Sequence, residues 1–253
     1  MTTAGLEASD LARAIVDHEL EVHVQPQIDL ASGAVVAVEG LSRWTHPQLG
    51  PIPPAEFVAL AEASGIIHDL GLFALQECCR IGRDWRSRGI ELAVAVNVSP
   101  LQLQTDRFFD ELERQLQESG LPPADLIVEV TEAERIEDYA VVAGRLDIIQ
   151  QWGVTVSIDD FGSGHSSIDR AVAVHARELK LDRSLVAGGD WAAIGEAVAL
   201  AQERRMRVVA EGIETREQLE RIRQAGCDRA QGYYIARPCQ PEEFEDWMRS
   251  VVR

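Results

Sequence analysis

The feature that most constrains this chain is an alternation of short apolar strands with helices through its second half and beyond. The runs ELAVAVNVS, LIVEVTE, VTVSIDD, ELKLD and MRVVAE are rich in Val, Ile, Leu and Ala and too short for helices. Helical spacing follows them at 106–119, 138–152, 190–205 and 216–225, with a short helix after VTVSIDD. Strands separated by helices pair in parallel, because a crossover returns the chain to the same end of the sheet. A short strand near 228–232 and a helix over 241–252 close the sequence.

The beginning is different. Residues 1–9 read as a flexible lead and 10–253 as a single domain. A helix from Asp10 places Leu11, Ile15 and Val16 on one side, with Asp10 as its cap. EVHVQPQIDL and VVAVEGLSRW then flank the turn ASGA and predict an antiparallel hairpin. Pro53 and Pro54 open a helix over AEFVALAEASG, and a longer helix covers 69–88. Eight strands, most separated by helices, with no linker-like break, predict an α/β fold closed into one β/α barrel. An open doubly wound sheet carries similar local patterns, and the hairpin is the departure from an all-parallel barrel.

Bulk properties narrow the partners. With 42 acidic against 24 basic residues the net charge is −18, which argues against a general binder of polymeric nucleic acid. A small phosphate ligand stays compatible, because a bound cation inverts the local field. Cys78, Cys79, Cys227 and Cys239 show neither C-x-x-C nor zinc spacing and read as reduced thiols. There is no apolar signal segment in residues 1–10 and no membrane-length apolar run. The expectation is a cytoplasmic protein without membrane contact.

The chemistry stands at the strand exits. VTVSIDDFGSGHSS runs from a buried-type strand into Asp159 and Asp160. Two helix-capping aspartates would read the same way in isolation. The other exits carry Glu39, Asn97, Glu129 with Glu132 three residues on, Lys180, Glu211 with Glu214, and Gln231. In a β/α barrel all these exits meet at one mouth. Carboxylates and an amide are hard oxygen ligands that suit Mg²⁺ or Mn²⁺ rather than zinc or copper. Their number exceeds what one ion requires, and paired ions serve phosphodiester chemistry. Lys180 could orient or deprotonate a water, neutralise phosphoryl charge, or simply pair with a ring carboxylate.

Nine ordered blocks carry a family resemblance: VQPQIDL, EGLSRWTHP, PPAEFVALAE, NVSPLQL, EVTE, DDFGSGHSS, ELKLD, VVAEGIET and QGYYIARP. With them the chain resembles the EAL domain family of bacterial cyclic di-GMP phosphodiesterases from about Leu11 to Trp247. The resemblance implies a modified TIM (β/α)8 barrel with an antiparallel first strand. It implies metal ligation by Glu39, Asn97, Glu129, Asp159 and Asp160, with Glu211 at a second ion. Lys180 would act on the nucleophilic water, Gln231 and Glu214 would support water and substrate, and Glu132 would hold the loop after strand five. Gln25, Leu41, Arg43 and Tyr233 fall at the family's dinucleotide contacts. Family enzymes open one phosphodiester to give linear pGpG, need Mg²⁺ or Mn²⁺, and often act as homodimers. The other reading is a cyclic di-GMP receptor or protein-interaction domain with weak or no turnover.

The departures are local. Gly40 replaces the signature alanine, Val24 a tyrosine, and Ser163 and His165 a threonine and a tyrosine. Asp169, Arg170 and His175 stand at usually apolar, aromatic or proline positions, and 187–191 is shorter than usual. These last changes fall where the resemblance joins the site to a dimer interface. His46, in RWTHP, reads as a structural hydrogen-bonder.

Overall fold

Side chains alternate faces along a strand, so a sheet closed on itself sorts them into an inside and an outside. The computed structural model, which describes residues 5–131, 139–162 and 175–251, is such a closed sheet. Its strands are β1 (Leu20–Asp29), β2 (Val35–His46), β3 (Gly50–Ile52), β4 (Ala93–Val98), β5 (Leu126–Thr131), β6 (Thr155–Phe161), β7 (Glu178–Leu181), β8 (Arg207–Ala210) and β9 (Arg229–Gln231). Pairing runs parallel from β2 through β4, β5, β6, β7 and β8 to β9. β1 closes the ring antiparallel to both β2 and β9. Among the described residues β3 pairs with the far end of β2 alone and stands outside the wall. The fold is therefore the expected barrel with an antiparallel first strand.

Outward positions carry the apolar core. Val38, Val94, Val96, Val128, Val156, Leu179 and Val208 are buried against helix residues such as Leu75, Leu112, Leu146, Val198 and Ile222. Each fully buried side chain of this size contributes roughly 1.5–3 kcal/mol. Inward positions are mostly polar or small instead, and Ala37, Ala95 and Ile127 form a separate small cluster. Ordinary β/α barrels fill that space with branched aliphatic side chains.

The helices are α1 (Ala8–Val16), α2 (Pro54–Ser64), α3 (Ile67–Ser87), α4 (Asp106–Glu118), α5 (Tyr139–Gln151), α6 (Arg183–Gly188), α7 (Trp191–Glu203), α8 (Arg216–Ala225) and α9 (Pro241–Val251). Local chemistry sets their ends. Pro54 opens α2, and Gly65, at φ 78°, ends it. Thr215 and Gln218 bond reciprocally at the start of α8. Asp10 lies in the first turn of α1 and accepts from the Glu7 N–H at 3.1 Å, so it supports the helix start from inside rather than capping it.

Neither β3 nor α6 is anticipated from sequence, because three and six residues are too few to show a period. α6 is set by Asp182, which accepts from the Ser184 N–H at 2.9 Å. The short segment 187–191 ends α6 through Gly189 and starts α7 through Asp190, which accepts from the Ala193 N–H at 3.1 Å. The short helix expected after VTVSIDD lies outside the described residues, as do Glu132, Ser163, His165, Asp169 and Arg170. His175 is exposed, with Nδ1 3.0 Å from Asp147. His46 is structural: its Nδ1 accepts from the Gln48 and Leu49 N–H groups, both at 3.2 Å.

Gly40 has a packing reason. It faces outward between Val24 and Val96, and a Cβ there would sit 2.4 Å from Cys78 Sγ on α3. Ala95 O and Val22 Cγ1 would each be at 3.3 Å. The thiol therefore takes the space of the alanine methyl that the resemblance leads one to expect. Gly40→Ala should lower stability by about 1–3 kcal/mol. Adding Cys78→Ala should recover most of that loss in urea denaturation, and simple additivity of the two changes would show that the residues do not compete.

Candidate active site at the barrel mouth

Inward-facing residues near the ends of the parallel strands make the site. β4 supplies Asn97, β5 Glu129, β6 Asp159 and Asp160, β7 Lys180 and β9 Gln231, while Glu211 directly follows β8. Glu39 differs from expectation, since β2 continues beyond it to His46. Its parallel pairing with β4 nevertheless ends at Gly40–Val96, so Glu39 still stands at the rim of the wall. The remainder of β2 extends past the rim, paired with β1 and β3.

A fully buried ammonium holds the centre. Lys180 Nζ lies 2.7 Å from Glu211 Oε1, 2.8 Å from Glu129 Oε2, 3.3 Å from Asp159 Oδ1 and 3.5 Å from Glu39 Oε2. Amides complete the ring. Asn97 Nδ2 donates to Glu39 Oε1 and Gln231 Nε2 to Glu39 Oε2, each at 2.7 Å. Gln231 Nε2 also donates to Gln25 Oε1 at 3.1 Å, and Gln25 Nε2 to the Ala236 carbonyl at 3.0 Å.

Asp160 adopts a left-handed backbone at φ 60°, tolerated by aspartate better than by most residues. The next turn depends on Gly162, at φ 96°, where a Cβ would fall 2.3 Å from Leu185 Cδ1. Together they break the regular pairing of β6 with β7 and bring both aspartates to one point.

Protonation follows from crowding. Burial, opposed by Lys180, pushes the Glu129, Asp159 and Glu211 carboxyls up. Asp160 is pushed up to about 6 by burial and by Asp159. Glu39 goes the other way, because Lys180, Asn97 and Gln231 outweigh its burial. Burial also works against the Lys180 charge, but the four carboxylates outweigh it and keep the ammonium protonated.

Chemically the cluster fits divalent cations. Ligating oxygens of Glu39, Glu129 and Asp159 lie within 4.8 Å of one another, and so do those of Asp159, Asp160 and Glu211. All are hard donors. Glu129 Oε1 is buried without a hydrogen-bonding partner among the described residues, as an oxygen awaiting a cation would be.

The sequence comparison is decisive for the family. Residues 8–238 match the family model described as the EAL domain. The chain belongs to the EAL domain family. It is 36% identical to the oxygen sensor protein DosP of Escherichia coli over 96% of this chain, which is 31% of DosP. It is 37% identical to the bifunctional diguanylate cyclase/cyclic di-GMP phosphodiesterase MucR of Pseudomonas aeruginosa, over 93% of this chain and 35% of that protein. The chain thus spans about a third of the length of these relatives. The solved PaMucR phosphodiesterase, in complex with c-di-GMP, superposes with TM-score 0.87 at 36% identity, covering 93% of this chain and 98% of that one. The EAL domain of Mycobacterium smegmatis DcpA gives 0.76 at 30% identity, covering 90% and 95%. Among the described residues no helix is long and apolar enough to cross a membrane.

Two clefts open on this EAL domain's ring. One of about 250 Å³ is lined by Gln25, Glu39, Leu41, Asp159, Glu211, Glu214, Gln231 and Tyr233. A second, more apolar, of about 240 Å³, lies against α2 and α3, where Pro54, Phe57, Val58 and Leu70 line it. Leu41 borders both clefts. Arg43 lines the apolar one, half-buried, rather than the acidic one. Glu132 lies outside the described residues. Sequence reasoning misses Arg183, which lines the acidic cleft with its Cβ 2.4 Å from where a Gly212 Cβ would sit. Extending the strand-exit rule a few residues past Lys180 would have found it.

Removing the shared cation tests the electrostatics. In the presence of a chelator, Lys180→Met should lower stability at pH 8 by about 3–5 kcal/mol. Raised carboxyl pKa values stabilise below the folded-state pKa and lose that contribution as pH rises through it, so the deficit should shrink towards pH 5. Thermal melts at the two pH values check this, and an equal deficit at both would contradict it.

Proposed function

We propose that this EAL domain is a metal-dependent phosphodiesterase that hydrolyses cyclic di-GMP to linear pGpG. The observation that carries the reading is the pair of acidic groups that share Asp159 around a buried lysine. Family membership supports it, as do relatives named for this activity, such as the cyclic di-GMP phosphodiesterase PA2567 of Pseudomonas aeruginosa, at 36% identity over 95% of this chain. In this reading Glu39, Asn97, Glu129 and Asp159 hold one Mg²⁺ or Mn²⁺, and Asp159, Asp160 and Glu211 hold a second. Such ions supply charge that stabilises the attacking and leaving oxygens of an in-line displacement.

The chain's own groups do the rest. Lys180, held among four carboxylates at the centre of the ring, is placed to orient the attacking water and to neutralise phosphoryl charge. Gln231, braced by Gln25, holds Glu39 in its ring position. The water oxygen bonds to phosphorus and gives up one proton, the phosphorus–3′-oxygen bond breaks, and the leaving oxygen takes up one proton, so that the elements of water are added across the bond. Arg43 in the apolar cleft and Arg183 in the acidic one suit phosphate oxygens, and Glu214 faces the acidic cleft. Tyr233, whose ring lies 4.3 Å from the Arg237 guanidinium, offers a face for a base. The apolar cleft beyond Leu41 offers space for the second base.

Incubation with cyclic di-GMP and Mg²⁺ or Mn²⁺ should release pGpG, followed by chromatography. Glu39→Ala and Asp159→Asn should reduce product to background, and turnover by the Glu39→Ala variant equal to the parent would sink the reading. Arg43→Ala should raise KM roughly 10–100-fold, the worth of a charge-assisted hydrogen bond, and leave kcat nearly unchanged. A fall in kcat alone would remove Arg43 from ground-state binding.

A further inference from the structure

The polar interior does not stop at the ring. Cross-strand register pairs Asn97 with Glu129, Glu129 with Ser157, Ser157 with Glu178, and Glu178 with Arg207. Barrel strands are tilted, so a row of register partners changes height as it goes round. This one descends. Asn97 lies near the end of β4 and Ser157 in the middle of β6, whereas Glu178 and Arg207 are the first residues of β7 and β8.

Ser157 and Glu178 are fully buried, and Ser157 Oγ and Glu178 Oε1 have no hydrogen-bonding partner among the described residues. The second oxygen of Glu178 is well satisfied. Oε2 accepts from Arg207 Nε at 2.6 Å and Nη2 at 2.5 Å, and Arg229 Nη1 lies at 3.6 Å. Gln27 Nε2, whose residue is also fully buried, is unpartnered too, while its Oε1 lies 3.5 Å from Arg229 Nη1. Above them stands Glu129, whose Oε1 is likewise unpartnered. An ionised carboxylate oxygen has two acceptor sites, so this atom can serve a cation above and a donor below.

Dry, unpaired polar atoms cost about 1–3 kcal/mol each. Interiors relieve such costs with ordered water that makes about three hydrogen bonds. The row offers those partners: two carboxylate acceptors and, between them, a hydroxyl donor. In the next inward layer Ala37 and Ala95 are small, and Ile127 packs with them.

We propose that ordered water bridges Glu129, Ser157 and Glu178, and that Ser157 and Glu178 are positioning residues that hold the Glu129 carboxylate for its divalent ion. The proposal rests on the metal-holding role of Glu129 argued above. It extends the site from the mouth to the opposite end of the barrel, where the charge of Glu178 is balanced by Arg207.

Two measurements decide it. A high-resolution crystal structure of the parent protein should show water at about 2.6–3.2 Å from Ser157 Oγ and from a carboxylate oxygen of Glu129 or Glu178. Direct contact between these groups with no water would overturn the bridge. Calorimetric titration with Mn²⁺ alone tests the positioning role. Ser157→Val, which fills the space and removes the hydroxyl, should weaken Mn²⁺ binding about 10–100-fold, as loss of outer hydrogen bonding to a metal ligand does. Ser157→Thr, which keeps the hydroxyl, should restore most of the affinity. Unchanged affinity in Ser157→Val overturns the proposal, and so does a Ser157→Thr as weak as Ser157→Val, which would assign the effect to packing. Should the valine variant not fold, Ser157→Ala is read instead, with an expected loss of about 2–10-fold and the same overturning result. A parent protein that takes up no Mn²⁺ overturns the metal reading and the positioning role with it, and the crystal structure then decides the water independently.

Discussion

A buried lysine ammonium surrounded by carboxylates is the interaction on which the rest of this structure depends. Bringing several acids into a closed barrel costs far more than any single contact returns, unless a cation shares the space. Lys180 is that cation, touching Glu39, Glu129, Asp159 and Glu211 from a fully buried position. Its reach explains why residues far apart in sequence had to be delivered by separate strands to one level. It also explains why the amides of Asn97 and Gln231 both turn towards Glu39, the carboxyl held below its ordinary pKa while its neighbours rise.

That arrangement moves the burden of stability outward. With the barrel interior given to acids, amides and alanines, the apolar core lies between the wall and the helices, where Val94, Val96, Val128 and Val156 meet the α3, α4 and α5 side chains. Packing there is close enough that Gly40 and Cys78 must be read together. One thiol on α3 fixes what can follow Glu39 on β2. The signature position is thus governed from outside the barrel, and the acidic ring from inside, one residue apart.

Much of this was legible in the chain because strand periodicity is a local property. Asn97, Glu129 and Asp159 end apolar runs, Lys180 and Gln231 end short mixed ones, and the barrel brings such ends together whatever the loops do. Glu39 was legible by its chemistry but not as a strand end, since β2 continues as a hairpin arm after the parallel wall stops. β3 and α6 were hidden by their length, and the Gly40–Cys78 contact by its span. Arg43 sits in the motif expected for it yet lines the neighbouring cleft, a distinction set by how α2 and α3 cover the β2 arm. Ser157 and Glu178 carried no signal, because one polar residue inside a strand ordinarily means a solvent-facing side, and only closure turns that side inward.

The charge of the whole chain bears on the chemistry last. A net charge of −18 repels an anionic dinucleotide at long range, so attraction has to be generated locally. The acidic cleft cannot do this with its carboxylates. On the proposed reading it needs cations held by those carboxylates, joined by Arg183 at its wall and Arg43 across Leu41. Divalent ions held by the ring would, on the proposed reading, turn its repulsion of a phosphodiester into attraction. On that reading, binding of metal and of substrate would be coupled by the sign of their charges, before any particular contact is considered.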